Sequence, residues 1–178
     1  KLNTVAAQAL FTGIVTDSGR FRYDSVTAKT LATAAKLLEY DFSLNEVYSN
    51  LYIEELKIVR LRAYFTLNFQ LTPLGVAYMK NTAADIKNHD VDLFTISRGM
   101  VNTMAGIKGI DIWANFTEDE STNTVICELR SNQYNINAVA AKYGGGGHQF
   151  ASGATLKSFA EADLMLQDLD NLIKENSK

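Results

Sequence analysis

At 178 residues, 47% of them hydrophobic, the chain can hold one medium domain or two small ones. A formal net charge of -3 and a pI near 5.4 exclude a broad basic face that grips a long duplex by releasing counterions. A short or small anionic ligand held by a few placed groups is what this balance leaves. One cysteine, Cys127, excludes an intrachain disulfide and fits a reduced, cytoplasmic setting. No apolar run reaches the length of a membrane span and no charged-then-apolar segment opens the chain, so no membrane partner is expected. The first residues are Lys1-Leu2-Asn3-Thr4, without a starting methionine, which suggests a processed chain or a piece of a longer one.

In chain order, the pairs Val5/Ala6, Ala9/Leu10 and Gly13/Ile14 behind Asn3 or Thr4 predict a helix ending near Val15. Thr16-Asp17-Ser18-Gly19-Arg20-Phe21 then reads as a loop. Ser25 or Thr27 caps a second helix through Ala28, Leu31, Ala35 and Leu38, and Ser43 with Glu46 forms a capping box for a third. Ile53 to Phe65 keeps helical spacing with alternating charge, as a connecting helix does, and the domain boundary is placed there. Beyond it the texture is α+β. Phe69 to Leu71 and Val76 to Met79 predict strands around Pro73-Leu74-Gly75. A helix is expected over 92–105 with Phe94, Val101 and Met104 toward a core. Ile110 to Phe116 and Thr124 to Leu129 predict strands joined by an acidic turn, 117–121. Asn135 caps a short helix to Tyr143, and Ser158 with Glu161 opens a final amphipathic helix.

Gly144-Gly145-Gly146-Gly147-His148 needs a reason, because each ordered glycine costs roughly 0.5 to 1 kcal/mol relative to alanine. A flexible linker is the ordinary explanation, but helical sequence precedes the run and a small, apolar stretch succeeds it. The N–H groups of Gly145, Gly146 and Gly147 are expected to converge on an anion, helped by a helix start after them, with His148 donating at the mouth. Arg130 and Ser131 end a predicted strand, where a guanidinium fork and a hydroxyl can meet a phosphate. Asp17 stands in an open turn suited to a hard divalent cation, with Arg20 close by. His89-Asp90-Val91-Asp92 reads as a helix break rather than a metal motif, with Asp90 and Asp92 as caps. Zinc spacings, a nucleophile elbow and a Walker loop are absent from the sequence.

Gly13 to Phe21, Leu129-Arg130-Ser131, and Gly144 to His148 with Ala151, Gly153 and Ala154 together resemble the DHH phosphoesterases that carry a DHH-associated C-terminal domain. The likeness is to the nanoRNase branch, which degrades very short RNA and dephosphorylates pAp. It implies an α/β fold: the mainly helical end of a catalytic domain over 1–52, a linker helix over 53–66, and an α+β substrate-binding domain with a mixed sheet over 67–178. It also implies a two-Mn²⁺ centre with Asp17 as catalytic residue and one metal ligand. Arg130, Ser131, Gly145, Gly146, Gly147 and His148 then match the substrate-binding positions, with Arg20 a weaker candidate.

The departure from the family pattern is large. No Asp-His-His occurs in the sequence, and a lone Asp17 cannot hold two cations, so the parent is expected to be an enzyme and this piece to be inactive. Cyclic di-AMP hydrolysis and a non-catalytic nucleic-acid-binding module are the rival expectations. Uncovered apolar surface at a missing half favours a homodimer.

Overall fold

In a computed structural model that describes residues 2–176, the chain divides into two units, 1–54 and 55–178. The first is three helices: α1 (Thr4–Asp17), α2 (Ala28–Leu37) and α3 (Leu44–Tyr52). Each begins on a short polar side chain that satisfies an orphan backbone donor. Asn3 Oδ1 accepts from the Ala6 N–H at 2.9 Å, Thr27 forms a reciprocal box with Thr30, and Ser43 Oγ accepts from Glu46 at 3.1 Å. Ala7, Phe11 and Val15 of α1 pack with Ala34, Leu37 and Val47. The α2 face expected from periodicity is not the buried one. Leu31 and Leu38 are 50% and 43% exposed, because the small core of this unit reaches only Ala34 and Leu37.

The second unit opens with α4 (Leu56–Asn68), which covers most of the stretch expected as a linker. Leu61 and Phe65 are wholly buried in this unit's core. Six strands come next in the order β1-β2-β3-β4-β6-β5: β1 (Gln70–Leu71), β2 (Ala77–Asn81), β3 (Ile112–Asp119), β4 (Thr124–Ser131), β5 (Gly146–His148) and β6 (Ala151–Leu156). Among the described residues only β2 and β3 pair in parallel, so the sheet is mixed, as expected. The Thr72-to-Gly75 turn, with Gly75 at φ 89°, joins β1 to β2.

Three expectations fail between β2 and β4. A helix α5 (Ala83–Asn88), boxed by Thr82 and Asp85, replaces unpatterned sequence, and Asp90 sits after it at φ 51° rather than capping the next helical segment. The helix over 92–105 breaks into a π-helical turn, Thr95–Gly99, and a 3₁₀ turn, Val101–Met104. Asp92 does cap this segment, accepting from the Thr95 N–H at 2.7 Å. These bonds lower its pKa from the ordinary 3.8. Val101 and Met104 are buried, but the changed helical phase leaves Phe94 65% exposed. The acidic stretch 117–119 belongs to β3 rather than to the turn, which is tightened by Asn123 at φ 52°.

One sheet face is closed by α6 (Asn137–Lys142) and α7 (Phe159–Asn176) over Ile112, Phe116, Cys127, Leu129 and Leu156. Asn135 assists α6 by accepting from Asn137 at 3.2 Å. Glu161 at the start of α7 reaches Lys157 N–H, one residue before the expected box. Burial raises the Cys127 thiol pKa well above its usual value, so this residue is an inert core member. The opposite face is closed over β2 and β3, and the 95–104 segment also reaches β4. There α4 and the 95–104 segment pack on Ala77, Met79 and Trp113. Asn115 Nδ2 donates to the Ile96 and Ser97 carbonyls at 2.7 and 2.6 Å, and Asn81 Nδ2 donates to Asn115 Oδ1 at 2.7 Å, clamping that segment down.

Candidate ligand-binding face

The other half of that second face, from the far side of β4 across β6 to β5, is not closed in the same way. Along β3 the first six residues are all buried. Along β4 burial alternates, with Thr124, Ile126, Glu128 and Arg130 half-buried on the side away from α6 and α7. Register sets what lies beside them, since opposed residues in an antiparallel pair share a face. Arg130 pairs with Ala151, and Ala151 with His148, so these three form one row. Glu128, Gly153 and Gly146 form the next. The result is a floor of glycine and alanine flanked by an arginine, a carboxylate and an exposed imidazole.

The glycine run does not make the expected cradle. No helix begins after it. Instead it leaves the end of α6 and becomes the edge strand β5, which turns back through Gln149 and Phe150 into β6. Gly145 N–H is spent on the Ala140 carbonyl at 3.0 Å, so it cannot join a three-donor nest. The four glycines have different causes. Gly144 has φ 71°, the left-handed conformation that ends a helix. A β-carbon on Gly145 would stand 2.1 Å from the Gly153 carbonyl oxygen and 2.6 Å from Ala154 Cβ. One on Gly147, at φ 142°, would stand 2.6 Å from the Ala151 carbonyl oxygen. Gly146 has neither constraint, for its φ is not positive and an added β-carbon would meet only Asn137 Oδ1 at 4.0 Å.

Arg130 is held rather than waving. Its Nη2 lies 3.0 Å from Glu128 Oε2, its Nη1 donates to the Leu129 carbonyl at 2.8 Å, and the two side chains are 16% and 18% exposed. Ser131 takes a different role from the one expected. It is buried on the α6 and α7 side, and its Oγ accepts from the N–H groups of Gln133 and Tyr134 at 3.1 and 2.8 Å, forming the turn that leaves β4. The hairpin tip is tied to its neighbours: Ser131 N–H donates to the Phe150 carbonyl and Ile136 N–H to Gln149, each at 3.0 Å. Ser152 Oγ donates to the His148 carbonyl at 2.8 Å. Trp113 pairs with Arg130 and continues its row under the closed half; its buried Nε1 has no partner among the described residues.

In the first unit, Asp17 is the exposed last residue of α1 rather than part of the loop after it. Ser18 caps that end, donating to the Ile14 carbonyl at 2.6 Å and accepting from Phe21 N–H at 3.0 Å. Gly19, Arg20 and Phe21 then run consecutively at φ 55°, 64° and 60°. Two of these are not glycine, a strained arrangement that costs on the order of 1 kcal/mol per residue or more. The Arg20 guanidinium rests 4.7 Å from the centre of the Tyr52 ring, and a cavity of about 200 Å³ opens beside it between Val15, Thr16, Gly19, Tyr23 and Leu51. No group of three or more His, Cys, Asp or Glu among the described residues could hold a metal ion. Asp17 offers one hard oxygen ligand, and the described residues do not by themselves fit a two-metal centre.

Residues 86–175 match the family model of the DHHA1 domain. The chain belongs to the DHHA1 domain family. The whole open half of the sheet therefore lies within the DHHA1 domain. The chain is 39% identical over 180 residues to the bifunctional oligoribonuclease and PAP phosphatase NrnA of Bacillus subtilis, covering 99% of this chain and 55% of that protein. It is 37% identical to the protein of the same name from Mycoplasma pneumoniae, covering 97% of this chain and 52% of that one. Among solved structures, an exopolyphosphatase-related protein from Bacteroides fragilis superposes with a TM-score of 0.81 at 25% identity, over 97% of this chain and 52% of its own. The chain thus spans about half the length of the curated relatives it matches. No helix among the described residues is long and apolar enough to cross a membrane.

Glu128 and Trp113 are the neighbours of this face that no motif singled out. The signal for both was the period of two. Counting back from Arg130 places Glu128 beside it, and the alternation of β3 places Trp113 on the same side.

Proposed function

We propose that this chain is the nucleotide-holding part of a phosphoesterase that acts on short oligoribonucleotides and on pAp, with the uncovered half of the DHHA1 sheet as the binding face. One observation carries the reading. Gly146 is a glycine that the fold does not require, and it pairs with Gly153 in the row next to that of Arg130 and His148. Close approach of a ligand is the remaining physical reason for leaving out its β-carbon. Arg130 supplies a pre-aligned guanidinium for a phosphate and His148 a second donor, while the glycine and alanine floor admits a flat nucleotide.

The names of the relatives support the substrate class, since they read oligoribonuclease and PAP phosphatase. They lend nothing to the cyclic dinucleotide alternative. In this reading Asp17 contributes one oxygen ligand to a Mn²⁺ centre whose other ligands lie outside these 178 residues. Such a centre would activate water and neutralise charge on phosphorus. The 178 residues alone then bind substrate without turning it over. Titration of the chain with pAp and with a two-nucleotide RNA, monitored through the single tryptophan, Trp113, tests the binding half of the reading. Saturable binding that Arg130→Ala weakens is the expected result. Mn²⁺-dependent hydrolysis of either compound by this chain would overturn the division of labour.

A further inference from the structure

Arg130 carries five N–H donors. Among the described residues the Leu129 carbonyl and the Glu128 carboxylate take one each, at 2.8 and 3.0 Å, leaving three for a ligand. Without Glu128 the guanidinium would be tethered only to the carbonyl of the residue before it, a bond that fixes one end of the fork but not its plane. An arginine free to rotate loses that freedom when it clamps an anion; one fixed by a neighbouring carboxylate has lost it on folding. Against this stands repulsion between the carboxylate and an anionic ligand. The two effects have opposite signs, so a single substitution separates them. Glu128 also faces Gly153 and Gly146 across the floor, where no side chain intervenes.

We propose that Glu128 is a positioning residue for anion binding: its carboxylate sets the plane of the Arg130 guanidinium so that the three remaining N–H groups present a fixed fork to a phosphate. This rests on the reading of the open face as a nucleotide site. Affinity for pAp and for inorganic phosphate, measured by titration calorimetry on the 178-residue chain, tests it. Glu128→Ala is expected to weaken pAp binding about tenfold, the scale of one charge-assisted hydrogen bond. Glu128→Gln, whose amide oxygen still accepts, is expected to stay within about twofold. Adding Glu128→Ala to Arg130→Ala is expected to change nothing further, because there is no guanidinium left to align. Should the alanine variant lose its fold, Glu128→Val keeps the strand preference and serves in its place.

Equal or tighter binding by the Glu128→Ala chain overturns the proposal in favour of an electrostatic brake. A loss that persists undiminished in the Arg130→Ala background overturns it in favour of direct ligand contact by Glu128. No binding of pAp by the unsubstituted chain overturns the nucleotide reading itself, an outcome distinct from either.

Discussion

The two halves of one sheet face solve different problems with the same backbone. Over β2 and β3 the face is sealed: Trp113, Met79 and Ala77 lie under α4 and the 95–104 segment, and Asn115 ties that segment down by two short bonds to its carbonyls. Over β4, β6 and β5 the same face carries Glu128, Arg130, Ala151, Gly153, Gly146 and His148, which are half-buried or exposed. The sealed half gains stability from apolar burial. The open half forgoes that gain and keeps charged groups in fixed places, which is the usual arrangement of a binding surface on a rigid scaffold.

The contrast can be broken most forcefully from the sealed side. Asn115→Ala removes the clamp and strands two buried carbonyls, while the Asn81 amide keeps Phe116 and Thr117 as acceptors; the second unit should lose about 4 kcal/mol in urea unfolding. Gly145→Ala comes next, at about 3 kcal/mol, because its β-carbon collides with the β6 backbone rather than with a movable side chain. On the open side, Arg130→Ala should cost pAp affinity about tenfold or more while the fold's stability shifts by about 1 kcal/mol or less.

The smallest effect is a pH dependence at the cap of the π-helical turn. Thr95 hydrogen bonds lower the Asp92 pKa below 3.8 in the folded chain. The cap therefore contributes stability above that value and loses it as pH falls through the folded pKa. Asp92→Ala should be less stable than the parent near neutrality, and the difference should close below about pH 3.8 in thermal melts.

The parts of this fold visible in sequence are those decided by local chemistry. Asn3, Thr27 and Ser43 cap their helices because a short oxygen side chain meets nearby N–H groups whatever the tertiary context. The Pro73-Leu74-Gly75 turn and the β3–β4 hairpin were legible for the same reason. What was not legible depends on distant contacts. The break of the helix over 92–105 into π and 3₁₀ turns accompanies the grip of Asn115, which is remote in sequence. The glycine run was readable as a place needing a reason, but the reason divides by strand parity. Gly145 and Gly147 lie against β6, and Gly146 pairs with Gly153 in the row beside that of His148. Ser131 looked like a ligand group by residue type and is a turn-forming hydroxyl by position.

In the proposed function Gly146 is glycine for the ligand and not for the fold, and Gly146→Ala measures that directly. The Gly146→Ala chain should be as stable as the parent or slightly more so, by about 0.5 kcal/mol, since alanine at an unstrained position narrows the unfolded ensemble. Its pAp affinity should fall about tenfold as the new methyl group enters the floor. Unchanged affinity in a fully folded Gly146→Ala chain would contradict the proposed function.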